Sequence, residues 1–263
     1  MLFRSHGAET GRFSSRNPNL QNIPNPSASE NGKAIRNLFY APEGYKLVVA
    51  DYSQIEPRII ASMSKDPIMI KNYIEGGDIY TTVGDTMGVD RKAGKVLVLA
   101  MAYGVGADKI ARSIGCSLTD ARKLLDNFTS KFSSVNSYRV KVVSATKAKK
   151  YVTTILGRRR YIPEIDSKNF ALRSGAERQA FNTRIQGSAA DIMKLAMVRA
   201  HERVPKGSNI LLTVHDELVT LTPDNLVSET EQAIREAMEG INILEVPLLA
   251  DVKVVNRWGE AKD

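Results

Sequence analysis

The sequence contains little cysteine and little histidine, and this excludes several kinds of site. Cys116 is the single cysteine, so an internal disulfide framework and a cysteine-rich zinc site are both excluded. Three histidines in the whole chain disfavour a histidine-based metal site. A long apolar run is also missing, because the most apolar stretch, residues 96–106, is too short to span a bilayer. The opening residues, MLFRSH, carry no secretory segment, so we expect a cytoplasmic protein with no membrane contact.

The charge balance is basic. Lys and Arg number 37 against 29 Asp and Glu, which gives a formal net charge of +8. This excess favours a polyanionic partner such as nucleic acid, but a solvated lysine-rich surface explains it equally well. The length of 263 residues is enough for one sizeable core or for two modest subdomains that share one.

The order of predicted elements indicates the fold class. Residues 1–33 are rich in Asn, Ser, Pro and Gly, which predicts extended or turning chain. An apolar run at 46–50 predicts a strand that ends at Asp51. The later elements are a helical pattern over 58–150, a long helix over 177–204, two strands over 209–221 around a turn at His215 and Asp216, a helix over about 227–239 and a strand near 247–255. Strands at both ends with helices between them predict an α+β domain with a helical insertion.

Asp51 and Asp216 each follow a strand that the pattern predicts to be buried. Either aspartate alone is more often a turn former or a helix cap than a ligand. Together they suit phosphoryl transfer, which needs metal ions that bridge phosphates rather than much covalent help from the protein. Magnesium prefers oxygen ligands and is usually held by one or two carboxylates together with substrate phosphates.

The helix predicted after residue 90 carries the complementary charge. Arg91, Lys95 and Leu99 are spaced four apart and form one stripe, with Tyr103 further round the same side. Such a stripe could present phosphate ligands at one end and a base-stacking surface at the other. A solvated basic turn that leads into a core helix is the alternative. Gly104 and Gly106 are expected to end or bend the helix.

Three runs then point to a family. DYSQIE at 51–56, Arg91-x3-Lys95-x7-Tyr103-Gly104, and VHDE at 214–217 resemble the signature motifs of family A DNA polymerases and occur in the same order. Four further runs support them: TGRFSS at 10–15, NLQNIP at 19–24, GRRRY at 157–161 and RIQGSAAD at 184–191. The resemblance covers nearly the whole chain.

The resemblance implies an antiparallel-sheet palm with an inserted helical fingers subdomain, a right-hand polymerase without its thumb. We expect the palm at 1–64 and 176–263 and the fingers at 65–175. It also implies template-directed addition of deoxynucleotides to a primer 3′ end by two Mg²⁺ ions, with Mn²⁺ as a possible substitute. Primer–template DNA and deoxynucleoside triphosphates would be the partners. A DNA-binding subunit or fragment of a split polymerase, with little activity alone, is the alternative; the presence of both aspartates and both cations argues against it.

Residue roles follow from the same resemblance. The metal ligands would be Asp51, Asp216 and the backbone carbonyl of Tyr52, and the groups acting in catalysis would be Asp51, Asp216, Arg91 and Lys95. The incoming nucleotide would contact Arg91, Lys95, Leu99, Tyr103, Glu56, Gln54 and Tyr80. The DNA would contact Arg12, Asn19, Gln21, Gly104, Arg158, Gln186, His215 and Glu217.

Some of these roles have a competing explanation. Glu56 matches the steric gate that rejects ribonucleotides, yet Ser53-x-x-Glu56 is also a capping-box pattern. Arg12, Gln186 and His215 match minor-groove contacts, where each base pair offers an acceptor and donors can test pair geometry without reading sequence. Residues 158–160 could contact the DNA backbone or form a solvated loop.

The chain also departs from the family pattern. Pro57 follows the gate glutamate where the family usually has Leu, and Leu99 stands where Phe or Tyr is usual. Tyr80 replaces a histidine common near the triphosphate, in a shortened segment. The Leu variant is typical of phage members, which favours a phage or prophage origin. Because the family's thumb and exonuclease-type domain normally precede residue 10, we expect either a fragment or a separate polypeptide that docks near residues 1–35.

Overall fold

A computed structural model describes residues 2–5, 7–24, 26 and 30–262. The strands are β1 (Leu2–Arg4), β2 (Ser14–Arg16), β3 (Tyr45–Tyr52), β4 (Tyr151–Thr153), β5 (Arg159–Tyr161), β6 (Asn209–Val214), β7 (Glu217–Pro223) and β8 (Ala250–Val255). The helices are α1 (Glu30–Arg36), α2 (Ile55–Ser64), α3 (Pro67–Ile74), α4 (Ile79–Met87), α5 (Arg91–Tyr103), α6 (Ala107–Ile114), α7 (Leu118–Lys131), α8 (Ser133–Lys149), α9 (Phe170–Arg203) and α10 (Val227–Glu239).

The chain divides into two compact units. The first consists of Met1–Ile55, Ala189–Ile243 and Leu248–Asp263, and the second of Glu56–Ser188 and Leu244–Pro247. The first unit therefore contains β3, β6, β7, β8 and α10, and the second contains α3 to α8. The predicted palm and fingers boundaries after residues 64 and 175 stay predictions.

The first unit is built on a four-stranded antiparallel sheet in the order β6-β7-β3-β8. Successive side chains of a strand point to opposite faces, so Leu47 and Val49 share one face and Val48 and Ala50 the other. All four are buried, because Trp258 packs in the cluster with Leu47 and Val49 while α10 packs against β3 and β8. Burial on both faces explains why β3 is a continuous apolar run instead of an alternating one.

The second unit is mainly helical, and its helices have clear ends. Asp78 and Asp90 cap the N-termini of α4 and α5 by accepting backbone N–H groups, and Gly104 ends α5 with a left-handed φ of 63°. The two helices approach closely at Gly84 and Gly94. A Cβ atom on Gly94 would lie 2.2 Å from the Tyr80 carbonyl oxygen, so only glycine fits at this crossing.

The predicted α+β class is confirmed, and so are most of the predicted elements. The strand at 46–50, the helical pattern over 58–150, the hairpin over 209–221 and the helix over 227–239 correspond to β3, α2 to α8, β6–β7 and α10. The long helix starts at Phe170, seven residues before the predicted position 177. None of the helices in the described ranges is both long and apolar enough to cross a membrane.

The prediction of extended or turning chain over residues 1–33 is wrong at the end of the segment, where α1 begins at Glu30. The hairpin of β1 with β2 agrees with the prediction. Asn31 and Gly32 disfavour helix in this segment, but the helix places Arg36 in the core, where its guanidinium lies 4.2 Å above the Trp258 ring. Positions 1, 6, 25 and 27–29 lie outside the described residues.

Candidate active site

The two predicted aspartates lie at the same edge of the first unit's sheet. Asp51 is the penultimate residue of β3, inside the strand rather than after it, and pairs in register with Glu217 at the start of β7. Asp216 belongs to the two-residue turn between β6 and β7. The Tyr52 backbone N–H donates to the Asp216 carbonyl oxygen at 3.1 Å, which fixes this turn against the end of β3. The hairpin thus brings together carboxylates that are 165 positions apart in sequence.

Protein cations face both carboxylates. The Arg12 guanidinium lies 3.7 Å from Asp216 Oδ1. The Lys262 ammonium contacts Asp51 Oδ2 and lies 3.1 Å from Glu217 Oε2. Burial disfavours the charged form of Lys262, but the attraction of Asp51 and Glu217 outweighs it, so the pKa of Lys262 is raised.

Glu217 is buried, and groups of the first unit hold its carboxylate. Trp258 Nε1 donates to its Oε1 at 2.6 Å, and the Arg36 guanidinium lies 3.6 Å from the same oxygen. Burial lowers the pKa of Arg36, although the carboxylates of Glu217 and Asp51 oppose this shift. In this structure the Glu217 carboxylate therefore has partners within the protein, and its expected contact with DNA stays a prediction.

Two residues beside the carboxylates have left-handed backbone conformations. His215 in the hairpin turn has φ of 55°, and Gln54, just before α2, has φ of 54°. Such conformations are uncommon for residues other than glycine and tend to occur at functional sites. His215 is exposed, whereas Gln54 is half-buried.

Tyr52 contributes its side chain to the core and its backbone to the sheet edge. Its hydroxyl donates to the Met238 carbonyl oxygen at 2.7 Å, which ties β3 to the end of α10. Burial raises the pKa of Tyr52, and the nearby charges of Arg199, Asp216 and Glu239 shift it less. The Tyr52 side chain thus anchors the residue whose backbone carbonyl is predicted to bind metal.

Two of the expected DNA contacts from the N-terminal segment have intramolecular roles. Gln21 is buried, and its Nε2 donates to the Thr213 carbonyl oxygen of β6 at 3.4 Å. Asn19 Oδ1 accepts from the Ser15 hydroxyl at 3.1 Å. Gln21 thus anchors this segment to the sheet, whereas Asn19 is exposed.

In the second unit, α5 presents the predicted stripe. Arg91 and Lys95 are exposed and Leu99 and Tyr103 are half-buried, while the opposite face of the helix is buried. Gly104 ends α5, as predicted, and Gly106 occupies the N-cap position of α6. The cations therefore stand on a helix face that solvent reaches.

Tyr80 lies beside both cations, and Asp78 pairs with Arg91. The Tyr80 ring centre lies 5.5 Å from the Arg91 guanidinium and 5.8 Å from the Lys95 ammonium. Asp78 accepts from Arg91 Nε at 2.7 Å and from its Nη2 at 3.4 Å. Burial raises the pKa of Tyr80, as do Asp78 and Glu56, while Arg91 lowers it. A phosphate that binds Arg91 would compete with Asp78.

Glu56 is joined to the far end of α5. It is buried in the first turn of α2, and its Oε2 accepts from the Tyr103 hydroxyl at 2.7 Å. The helix begins at Ile55, so Ser53 does not directly precede it as a capping box requires. Pro57 also lies in the first turn, where its missing N–H removes no intrahelical hydrogen bond.

The remaining expected DNA contacts lie elsewhere in the second unit. Gly104 packs against Arg139 and Arg178, so closely that a Cβ atom would lie 2.9 Å from a side-chain atom of each. Residues 159–161 form β5 rather than a loop, with Arg160 donating to the Thr183 hydroxyl at 2.9 Å. Arg158, directly before β5, and Gln186, on α9, are half-buried.

Sequence reasoning missed Lys262, Trp258, Arg36 and Asp78. The first three reach the carboxylates only through tertiary packing, and no local pattern marks them. Asp78 had a usable signal, since Asp78-x-x-Thr81 is a helix-cap pattern at the start of α4, and its side chain accepts from Thr81 N.

Comparisons with known proteins agree with this geometry. The family model described as DNA polymerase family A matches residues 2–260. The thermostable DNA polymerase I of Thermus filiformis is 38% identical over 270 residues, which is 99% of this chain and 32% of that protein. DNA polymerase I of Pseudomonas aeruginosa is 38% identical over 266 residues, 97% of this chain and 29% of that protein. The chain thus spans about a third of the length of these curated relatives.

A solved structure is similar over nearly the whole chain. It is the POL domain of Pol1 from M. smegmatis in complex with DNA primer-template and dNTP. The TM-score is 0.93 and the sequence identity 39%, over 99% of this chain and 48% of the other. The architecture is therefore that of a polymerase domain of this family.

Proposed function

Because this chain belongs to DNA polymerase family A, we propose that it catalyses template-directed addition of deoxynucleotides to a primer 3′ end. The observation that carries the proposal is the placement of Asp51 and Asp216 at one edge of the sheet, Asp51 within β3 and Asp216 in the turn that leads into the adjacent strand β7. Primer–template DNA and deoxynucleoside triphosphates would be the partners, as in the complex of the similar POL domain. The first unit would serve as the palm and the second as the fingers.

Asp51 and Asp216, with the Tyr52 carbonyl, would hold two Mg²⁺ ions, or Mn²⁺ as a substitute. The donor set fits hard cations, because it consists of oxygen atoms. Such ions would supply positive charge that neutralises phosphate oxygens. Among the described residues no group of three or more His, Cys, Asp and Glu could hold a metal, so substrate phosphates would complete the coordination.

The cations of α5 would bind the triphosphate of the incoming nucleotide. Arg91 and Lys95 are exposed on one face of the helix, and the Tyr80 ring lies against both. Leu99, one turn further along, would lie near the sugar. Asp78 holds Arg91 in place, so the guanidinium is oriented before a phosphate replaces that ion pair.

Glu56 would exclude ribonucleotides, with Tyr103 fixing its carboxylate through the 2.7 Å hydrogen bond. Arg12 and the exposed His215 would contact the minor groove at the primer end, together with Gln186. A separate thumb or exonuclease polypeptide stays a prediction.

The test is primer extension by the purified chain and its Asp51→Asn and Asp216→Asn variants, with and without Mg²⁺. We expect each variant to lose at least about a hundredfold in rate, because transition-state charge loses its main stabilisation. DNA affinity should stay within about twofold, since phosphate contacts dominate it. Asp224→Asn, an exposed carboxylate of the same unit, is the matched control.

Two outcomes would count against the proposal. If either variant keeps about a tenth of the normal rate, the two-metal assignment is wrong. If the unmodified chain binds primer–template but extends nothing in Mg²⁺ or Mn²⁺, it is a DNA-binding subunit instead of an enzyme.

A further inference from the structure

The last described residue, Lys262, brings a positive charge to the catalytic edge of the sheet. Its ammonium bridges Asp51 Oδ2 and Glu217 Oε2, two carboxylates that stand opposite each other in the register of β3 and β7. Like charges at directly opposed positions of a sheet destabilise it, so a cation between them is favoured. The bridge is only partly open to solvent, since 23% of the Lys262 side chain and 4% of Glu217 are exposed.

The segment that carries Lys262 is fixed by its own contacts. The short 3₁₀ helix Trp258–Lys262 begins at a fully buried tryptophan, whose backbone N–H donates to the Phe39 carbonyl oxygen at 3.0 Å. Glu260 accepts from the Asn256 and Arg257 backbone N–H groups, both at 3.0 Å. These contacts hold the helix in place, so the position of Lys262 does not depend on its ion pairs alone.

We infer that Lys262 is a positioning residue that balances the charge of Asp51 and Glu217 and competes with a divalent cation for Asp51. This inference rests on the proposed function, in which Asp51 is a metal ligand. A divalent cation at Asp51 must either displace the Lys262 ammonium from Oδ2 or bind beside it. Displacement breaks an ion pair and proximity causes repulsion, so both weaken binding of the divalent cation. Glu217 can retain the ammonium after displacement, because it already accepts it at 3.1 Å.

The consequence is that metal binding depends on the nucleotide. The edge of the sheet binds a divalent cation weakly by itself, and the phosphates of an incoming triphosphate supply the missing negative charge. Lys262 thereby keeps Asp51 in place before the substrate arrives and limits occupation by metal alone.

The test measures Mn²⁺ binding to the DNA-free protein by electron paramagnetic resonance of the free ion. Lys262→Met keeps the aliphatic stem and removes the charge, and we expect it to bind Mn²⁺ about tenfold more tightly than the unmodified chain. Lys262→Arg should restore the original affinity. Lys206→Met, which removes an exposed lysine of the same unit, is the control for net charge and should leave the affinity unchanged.

Thermal unfolding provides a second readout. In Lys262→Met the carboxylates of Asp51 and Glu217 have lost the ammonium, so their repulsion should destabilise the fold when EDTA removes metal ions. Mn²⁺ should therefore raise the melting temperature more in Lys262→Met than in the unmodified chain. Equal Mn²⁺ affinity of the two, or a melting temperature lowered by the same amount with and without metal, overturns the inference. If Lys262→Met does not fold, Lys262→Gln is measured under the same criteria.

The experiment separates this inference from the proposed function. Asp51→Asn should abolish the Mn²⁺ binding seen in the unmodified chain. If Asp51→Asn binds Mn²⁺ as well as the unmodified chain, the metal assignment itself fails. If Asp51→Asn loses binding while Lys262→Met matches the unmodified chain, only the role of Lys262 is refuted.

Discussion

The hydrogen bond between Tyr103 and Glu56 joins the end of α5 to the start of α2 through two side chains. Removing the hydroxyl donor of a buried carboxylate costs about 1–3 kcal/mol of folding free energy. We therefore expect Tyr103→Phe to lower the free energy of unfolding by about this amount and to loosen the orientation of Glu56. The ratio of ribonucleotide to deoxynucleotide incorporation should rise, and it should rise further in Glu56→Gly, which removes the side chain.

Denaturant unfolding and the two kcat/KM values measure these effects. Tyr161→Phe removes a hydroxyl from an exposed tyrosine of the same unit and is the matched control. An unchanged ribonucleotide ratio in both Tyr103→Phe and Glu56→Gly would mean that Glu56 stabilises the start of α2 and does not act on the sugar.

At the level of elements, the crossing of α4 and α5 positions the cations. A Cβ atom at residue 94 would lie 2.2 Å from the Tyr80 carbonyl oxygen and 2.8 Å from the Gly84 nitrogen, both rigid backbone atoms. Gly94→Ala must therefore push the helices apart, at a cost of about 1–3 kcal/mol. Because Tyr80 then moves away from Arg91 and Lys95, we expect a higher KM for the nucleotide as well.

Gly106→Ala is the control for this substitution, since nothing lies within 4 Å of its Cβ position. It should leave the KM for the nucleotide unchanged. In an isolated helix Gly→Ala would stabilise by up to about 1 kcal/mol. A stabilised Gly94→Ala protein would show that the helix contact yields easily, and that it does not set the position of Tyr80.

The sequence predicted the elements whose signals are local. An apolar, β-branched run identified β3, and the spacing of apolar residues identified α5 and α10. The local pattern did not predict α1, because this helix contains Gly32. Its Arg36 packs against Trp258, more than two hundred residues away. Sheet order and register could not be predicted either, because β3 pairs with β7 and β8, which come much later in the chain.

The candidate site likewise contains residues that local motifs predict and residues that only long-range packing places. Motif resemblance identified Asp51, Asp216 and the cations of α5, since their spacing is visible in sequence. The partners that orient them depend on long-range packing: Lys262 lies 211 positions from Asp51. Glu217 shows the same limit, because its motif is visible in the sequence but its burial is not.

For the whole chain, the net charge of +8 gives an expectation for DNA binding. Contacts to phosphates release counterions, so affinity falls linearly on a log–log plot against salt, with a slope close to the number of phosphates neutralised. We expect affinity for a primer–template duplex, measured by fluorescence anisotropy, to fall by about a thousandfold between about 50 and 200 mM salt.

Arg158→Met should reduce the slope of this salt dependence by about one if this arginine binds a phosphate. Lys206→Met, which removes an exposed lysine, is the control and should keep the original slope. A slope that is flat, or one that changes equally in both variants, would show that the basic excess is a solvated surface and that Arg158 does not contact the DNA backbone.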